Sequence, residues 1–136
     1  MAKLSIALLL LAGLPASAQQ NDARNKFVGT WEAKWKDKVI CTIRLRAGDP
    51  VSGETEACNI HVDDNGDLQE PESSEPGDGQ PATIVRSKLT GETLTFEEDE
   101  GGEVIKFELR LVGEGKAELR IPGAPVRINP IPFTRK

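Results

Sequence analysis

The chain has no tyrosine, one histidine and two cysteines in 136 residues, and aromatic residues make up only 4% of it. Each shortage excludes something. A Ser-His-Asp relay would have to use His61, and a zinc site needs more ligands of the His and Cys type than His61 alone offers. No Gly-x-Ser-x-Gly elbow or phosphate-cradling glycine loop is present. Acids are plentiful, but abundance does not place two of them around a substrate. The expectation is a non-enzyme with no metal and no cofactor. Few aromatics and no basic cluster also argue against a nucleic-acid partner. No apolar run is long enough to span a membrane as a helix.

Residues 1–18 read as a secretory signal. Lys3 supplies a positive start, Leu4 to Leu14 a short apolar run, and Ala16-Ser17-Ala18 a small-residue cleavage site. Gln19 follows rather than Cys, which argues against a lipid anchor. The expected location is outside the cytoplasm, periplasmic or extracellular. Residues 19–136 carry 16 basic and 22 acidic side chains, a formal charge of −6, which favours solubility. They suffice for one domain with one core.

Residues 19–26 are polar and read as a flexible N-terminal arm, with the folded domain spanning 27–136. From Thr30 the apolar positions recur at period two, the pattern of half-buried strands. Trp31, Ala33 and Trp35 share one face. Val39, Cys41, Ile43 and Leu45 share another, and a turn follows at Ala47 to Pro50. A third run from Val51 to about Val62 places Gly53, Thr55 and Ala57 inward. Asp64-Asn65-Gly66 is a tight-turn signal, and residues 69–81, rich in Pro, Glu, Ser and Gly, read as a mobile loop. Strands resume over Thr83–Leu89 and Thr93–Glu98. Ile105, Phe107, Leu109 and Leu111 then alternate with charged residues, and Ala117, Leu119 and Ile121 line up after Gly113-Glu114-Gly115. Pro122, Pro125, Pro130 and Pro132 confine Val126–Ile128 and Ile131–Phe133 to short edge or closing pieces.

About eight strands joined mainly by tight turns predict an all-β chain, a single small antiparallel up-and-down barrel. A meander of this length with one apolar face curls up because a flat sheet would leave edges exposed.

Gly29-Thr30-Trp31, preceded by Phe27, resembles the first-strand motif of lipocalins and other calycins. The resemblance implies that Trp31 plugs one barrel end, against an arginine from a late strand, for which Arg120 and Arg127 are the candidates. The chain lacks the family's later motifs and its C-terminal helix, so the resemblance extends to the barrel and not to a particular ligand. The order Trp31, Cys41, Cys58 is also similar to small bacterial periplasmic inhibitors of secreted metalloproteases. Those are eight-stranded barrels that act through an N-terminal arm.

Cys41 and Cys58 admit two readings. A lone pair in an oxidising compartment usually bridges. A hairpin turning at residues 47–50 sets Cys41 opposite Thr55 or Glu56, with the sulfurs ~10 Å apart along the strand at about 3.3 Å per residue. That is beyond the reach of a disulfide unless a bulge at Gly53 closes the gap. Two buried thiols are the other reading. His61-Val62-Asp63-Asp64-Asn65-Gly66-Asp67 has the donors of a cation loop but neither its spacing nor flanking helices, and reads as a solvated turn. Glu97-Glu98-Asp99-Glu100 reads likewise as a solvated acidic turn.

The functional expectation is an exported, non-enzymatic barrel that binds a small apolar molecule inside. Trp35, Ile43, Phe107 and Leu109 would line the pocket, with Trp31 at its closed end. The alternative is a protein-binding module, such as a protease inhibitor, that acts through residues 19–26.

Overall fold

Alternation at period two gives each strand one apolar face, and the sheet buries that face by curling onto itself. The computed structural model describes residues 23–71, 81–100 and 102–136. Its strands are β1 (Gly29–Trp35), β2 (Lys38–Arg46), β3 (Ser52–Glu56), β4 (Ala82–Thr90), β5 (Thr93–Glu100), β6 (Glu103–Gly113), β7 (Lys116–Arg120) and β8 (Ile131–Arg135). Each pairs antiparallel with its neighbour in the chain, and β8 returns to β1, giving a closed up-and-down barrel. The fold expected from the sequence is the one observed. The signal at 1–18, residues 19–22 of the arm and residues 72–80 of the loop lie outside the described residues. Residues 23–27, expected to be mostly loose arm, form a helical turn.

The core is one apolar cluster inside the barrel. Trp31, Ala33, Cys41, Ile43, Leu109 and Leu119 in it are fully buried. Outward positions are charged and paired across strands. Arg46 Nη1 lies 3.0 Å from Glu54 Oε1 and Arg86 Nε lies 2.6 Å from Glu97 Oε1. Arg44 donates to Glu56, a hydrogen bond that raises the guanidinium above its ordinary pKa. An apolar interior with a charged exterior is the inverse of a porin-type transmembrane barrel, whose lipid-facing band must be apolar. Among the described residues no helix is long and apolar enough to cross a membrane.

Three bulges adjust the alternation. In β2, Ile40 is an extra residue, because Ala33 faces Cys41 while Lys34 faces Val39. The strand therefore changes phase, so Ile40 is buried and Val39 is 41% exposed. This corrects the expectation that Val39 points inward. In β4, Val85 faces Glu97 and Lys88 faces Thr95, so Arg86 and Ser87 together oppose Phe96. Arg86 takes the left-handed φ of 50°. The shift turns Ile84 and Leu89, an odd number of residues apart, toward the same core. In β6, Val112 is the extra residue and is 48% exposed.

The cysteine pairing is settled by the same devices. Thr42 faces Glu56 and Leu45 faces Gly53, one residue from the expected register, and Gly53 carries no bulge. Gly53 is needed for close approach, since a Cβ there would lie 1.9 Å from the Arg44 carbonyl oxygen. The third run ends at Glu56, not near Val62, because Ala57 takes a left-handed φ of 52°. That turn swings the chain back over β2, and Asn59 N–H donates to the Ile40 carbonyl at 2.7 Å. Cys58 thereby meets Cys41, and the two form a disulfide.

Candidate functional site

The five residues expected to line a pocket are brought together on the inner wall. Trp31, Ile43 and Leu109 are fully buried and Phe107 is 8% exposed, while Trp35 is partly buried against the same cluster. Phe107 stacks on Phe96 with ring centroids 5.3 Å apart. These side chains pack on one another and on Leu94, Leu119, Ile131 and Phe133.

The end where β1 begins is closed by the helical turn. Phe27 is fully buried, and its carbonyl accepts a hydrogen bond from Trp31 Nε1 at 2.8 Å. Arg24 ties the turn to the β2–β3 loop through Asp49 at 3.0 Å. Over Trp31 lies the guanidinium of Arg135, 5.7 Å from the ring, and its Nη1 donates to the Lys26 carbonyl at 2.9 Å. Gly29 makes room, since a Cβ there would lie 3.2 Å from Arg135 Cδ. The late arginine is therefore Arg135, and not Arg120 or Arg127. The signal was present in the sequence. Ile131, Phe133 and Arg135 continue one period-two face, which places Arg135 opposite Trp31.

The opposite end is covered by the excursion after β3. Residues 57–71 carry Ile60 and Leu68 onto the core, and Ile121 and Ile128 join them from the β7–β8 connection. The turn expected at Asp64-Asn65-Gly66 forms here, inside an isolated bridge between Val62 and Leu68. Asp63 Oδ1 accepts from the backbone N–H of Asn65 and of Asp67. Asn129 Nδ2 donates to Asp67 Oδ1 at 2.7 Å and Asn129 N–H to the Gly66 carbonyl at 2.9 Å. Asp63 thus holds the turn together, and Asp67 fastens it to the β7–β8 connection. Among the described residues no group of three His, Cys, Asp or Glu side chains is placed to hold a metal ion.

One polar group missed in the sequence lies inside. Glu98 is 4% exposed, and the Thr55 hydroxyl, also buried, donates to its Oε1. Glu97 and Glu98 belong to β5, which continues to Glu100, so the acidic run is strand and not a solvated turn. The signal was again period two, because Glu98 follows Leu94 and Phe96 on one face.

A cleft of about 740 Å³ lies outside the barrel, at the end that Phe27 closes. Lys26, Arg110 and Arg135 bring positive charge to it, Glu92 and Glu114 negative charge, and Leu111 and Val112 an apolar floor. A smaller cleft of about 180 Å³ lies between the β2–β3 loop and β4, beside the contact from the Ser87 hydroxyl to the Val51 carbonyl.

This architecture, an eight-stranded antiparallel closed barrel, is consistent with a calycin-like fold. Compared with protein-family models, curated proteins and solved structures, the chain matches none.

Proposed function

We propose that the chain is an exported, non-enzymatic binding module whose working surface is the outer rim of the barrel rather than its interior. The observation that carries this reading is where the free volume lies. Trp31, Ile43 and Leu109 have no exposed surface, both barrel ends are covered, and the cleft of about 740 Å³ is outside. Ligand sites commonly occupy about 300–1,000 Å³ and combine an apolar floor with a few polar groups. The rim fits that description. A cross-strand ionic exterior and a Cys41–Cys58 bridge fit a water-facing, oxidising setting.

The interior reading, a small apolar molecule against Trp35, Ile43, Phe107 and Leu109, has support in the partial burial of Trp35. It requires residues 57–71 to move away from the barrel end. The protease-inhibitor reading requires a free arm, and Arg24 and Phe27 tie its last residues to the barrel.

Amide and methyl NMR during titration with a panel of peptides and apolar small molecules separates these readings. The rim reading expects shifts at Lys26, Glu92 and residues 110–115, with Ile43 and Leu109 methyls unmoved. Shifts centred on those methyls and on the Trp35 indole would replace it with the interior reading.

A further inference from the structure

We infer that the rim cleft recognises the C-terminal carboxylate of a peptide chain with an apolar last side chain, an assignment that rests on the rim reading above. The first ground is charge. On the barrel exterior Arg44, Arg46 and Arg86 are each engaged by a glutamate on the neighbouring strand. The cleft is different. Lys26 is exposed and makes no ion pair among the described residues. Arg110 also has a glutamate on the neighbouring strand, but Glu118 lies 3.6 Å away, against 3.0 Å for Arg46 and 2.6 Å for Arg86. Arg135 spends one guanidinium nitrogen on the Lys26 carbonyl and forms no ion pair among the described residues. Three cations therefore share one concavity in a chain whose formal charge is −5. The cleft's acids, Glu92 and Glu114, form no ion pair with them among the described residues.

The second ground is the apolar floor. At the β6 bulge Val112, outward by the strand's ordinary alternation, is 48% exposed beside the half-buried Leu111. The two set one small apolar seat next to the cations. An arginine beside an apolar seat matches a group with a carboxylate and one short hydrocarbon branch, because carboxylates take charge-assisted hydrogen bonds from guanidinium. A long acyl chain would outrun an apolar floor of two residues and lie in water. A peptide terminus would not, since its backbone beyond the last residue is polar.

The probe is a fluorescein-labelled glycine-serine hexapeptide ending in leucine, as free acid and as amide, followed by anisotropy on the intact chain. The free acid should bind saturably, more weakly as salt rises, and the amide roughly tenfold more weakly. Lys26→Gln with Arg110→Gln should weaken the acid by a similar factor, whereas Lys106→Gln, a cation on the outer wall, should leave it unchanged. Circular dichroism shows that each variant is folded, and Val112→Asp gives a second route to the same loss. Equal affinity for acid and amide, binding indifferent to the double variant, or no saturable binding would overturn the inference. Tighter binding of decanoate than of the peptide would overturn it in favour of a fatty acid. If acid and amide perturb residues 110–115 alike, the rim reading stands and the carboxylate assignment falls. If either perturbs only the core methyls, both fall.

Discussion

Trp31 shows how much one side chain does in this fold. Its ring fills the barrel end, its Nε1 donates to the Phe27 carbonyl, and Arg135 covers its face. Trp31→Ala removes all three, and a loss of about 3–5 kcal/mol is expected from urea unfolding. Trp31→Phe keeps a ring and leaves the Phe27 carbonyl without its donor, so about 1–3 kcal/mol is expected. If the two variants lost the same amount, the ring's size would not be what holds the end. Glu98 is the second residue of this kind. A buried carboxylate is costly unless hydrogen-bonded, and Thr55 supplies one of its donors. Thr55→Val keeps the shape and removes the hydroxyl. It should cost about 1–3 kcal/mol, and Thr55→Ser should restore most of it; a Val variant as stable as the parent would mean that the hydroxyl contributes nothing. Arg44 works differently. Its folded pKa is raised, by Glu56 first, so its contribution is complete below the ordinary arginine pKa and is lost only as pH rises through the folded value. Arg44 therefore adds no pH dependence near neutrality.

At the scale of strands, the sequence made the architecture legible and concealed its corrections. Period-two runs such as Ile105, Phe107 and Leu109 read directly as inner wall, because a regular strand keeps its phase. A bulge adds one residue and inverts that phase, and no residue type announces it. Ile40 and Arg86 are ordinary strand residues by composition, so the inward turn of Ile40 and Leu89 was not readable. Arg86 even occupies the left-handed region that favours glycine. The end of β3 was hidden for the same reason, since Ala57 does not look like a turn residue. Ala57→Gly should therefore stabilise the chain, by up to about 1 kcal/mol, because alanine there bears a left-handed strain of roughly 1–2 kcal/mol and glycine recovers only part of it. A drop in thermal midpoint would show that the strain is absent. Gly53 is the opposite case. Its inward place was legible, but not its reason, which is a backbone contact that leaves no room for Cβ. Gly53→Ala must push β2 from β3 and should cost about 3 kcal/mol or more, at the upper end of overpacking penalties. Loss of amide protection in both strands by hydrogen exchange would locate the damage.

Taken whole, the molecule is a barrel with two covers of different construction. The helical turn is held to its end by burial of Phe27 and by side-chain contacts from Trp31, Arg135 and Arg24. The other cover, residues 57–71, has few buried apolar anchors and relies on cross-links. These are the Asn59 N–H to the Ile40 carbonyl, the Asn129 contacts, and the disulfide. Its removal would expose Trp35 and the inner wall, so this cover decides whether the interior is ever reachable. The disulfide spans 17 positions in sequence, and closing a loop of that length stabilises by about 3 kcal/mol through the unfolded chain. The Cys41→Ala/Cys58→Ala double variant should lose roughly that amount in urea, and reductant should have the same effect on the parent chain. Because the bond joins the cover to β2 and does not join barrel strands to one another, the loss of protection should be uneven. Hydrogen exchange should rise first over residues 58–71 and at Trp35, ahead of β5 and β6. Uniform loss across all eight strands would mean that the cover and the barrel unfold as one unit, and the interior would then open only when the whole protein unfolds.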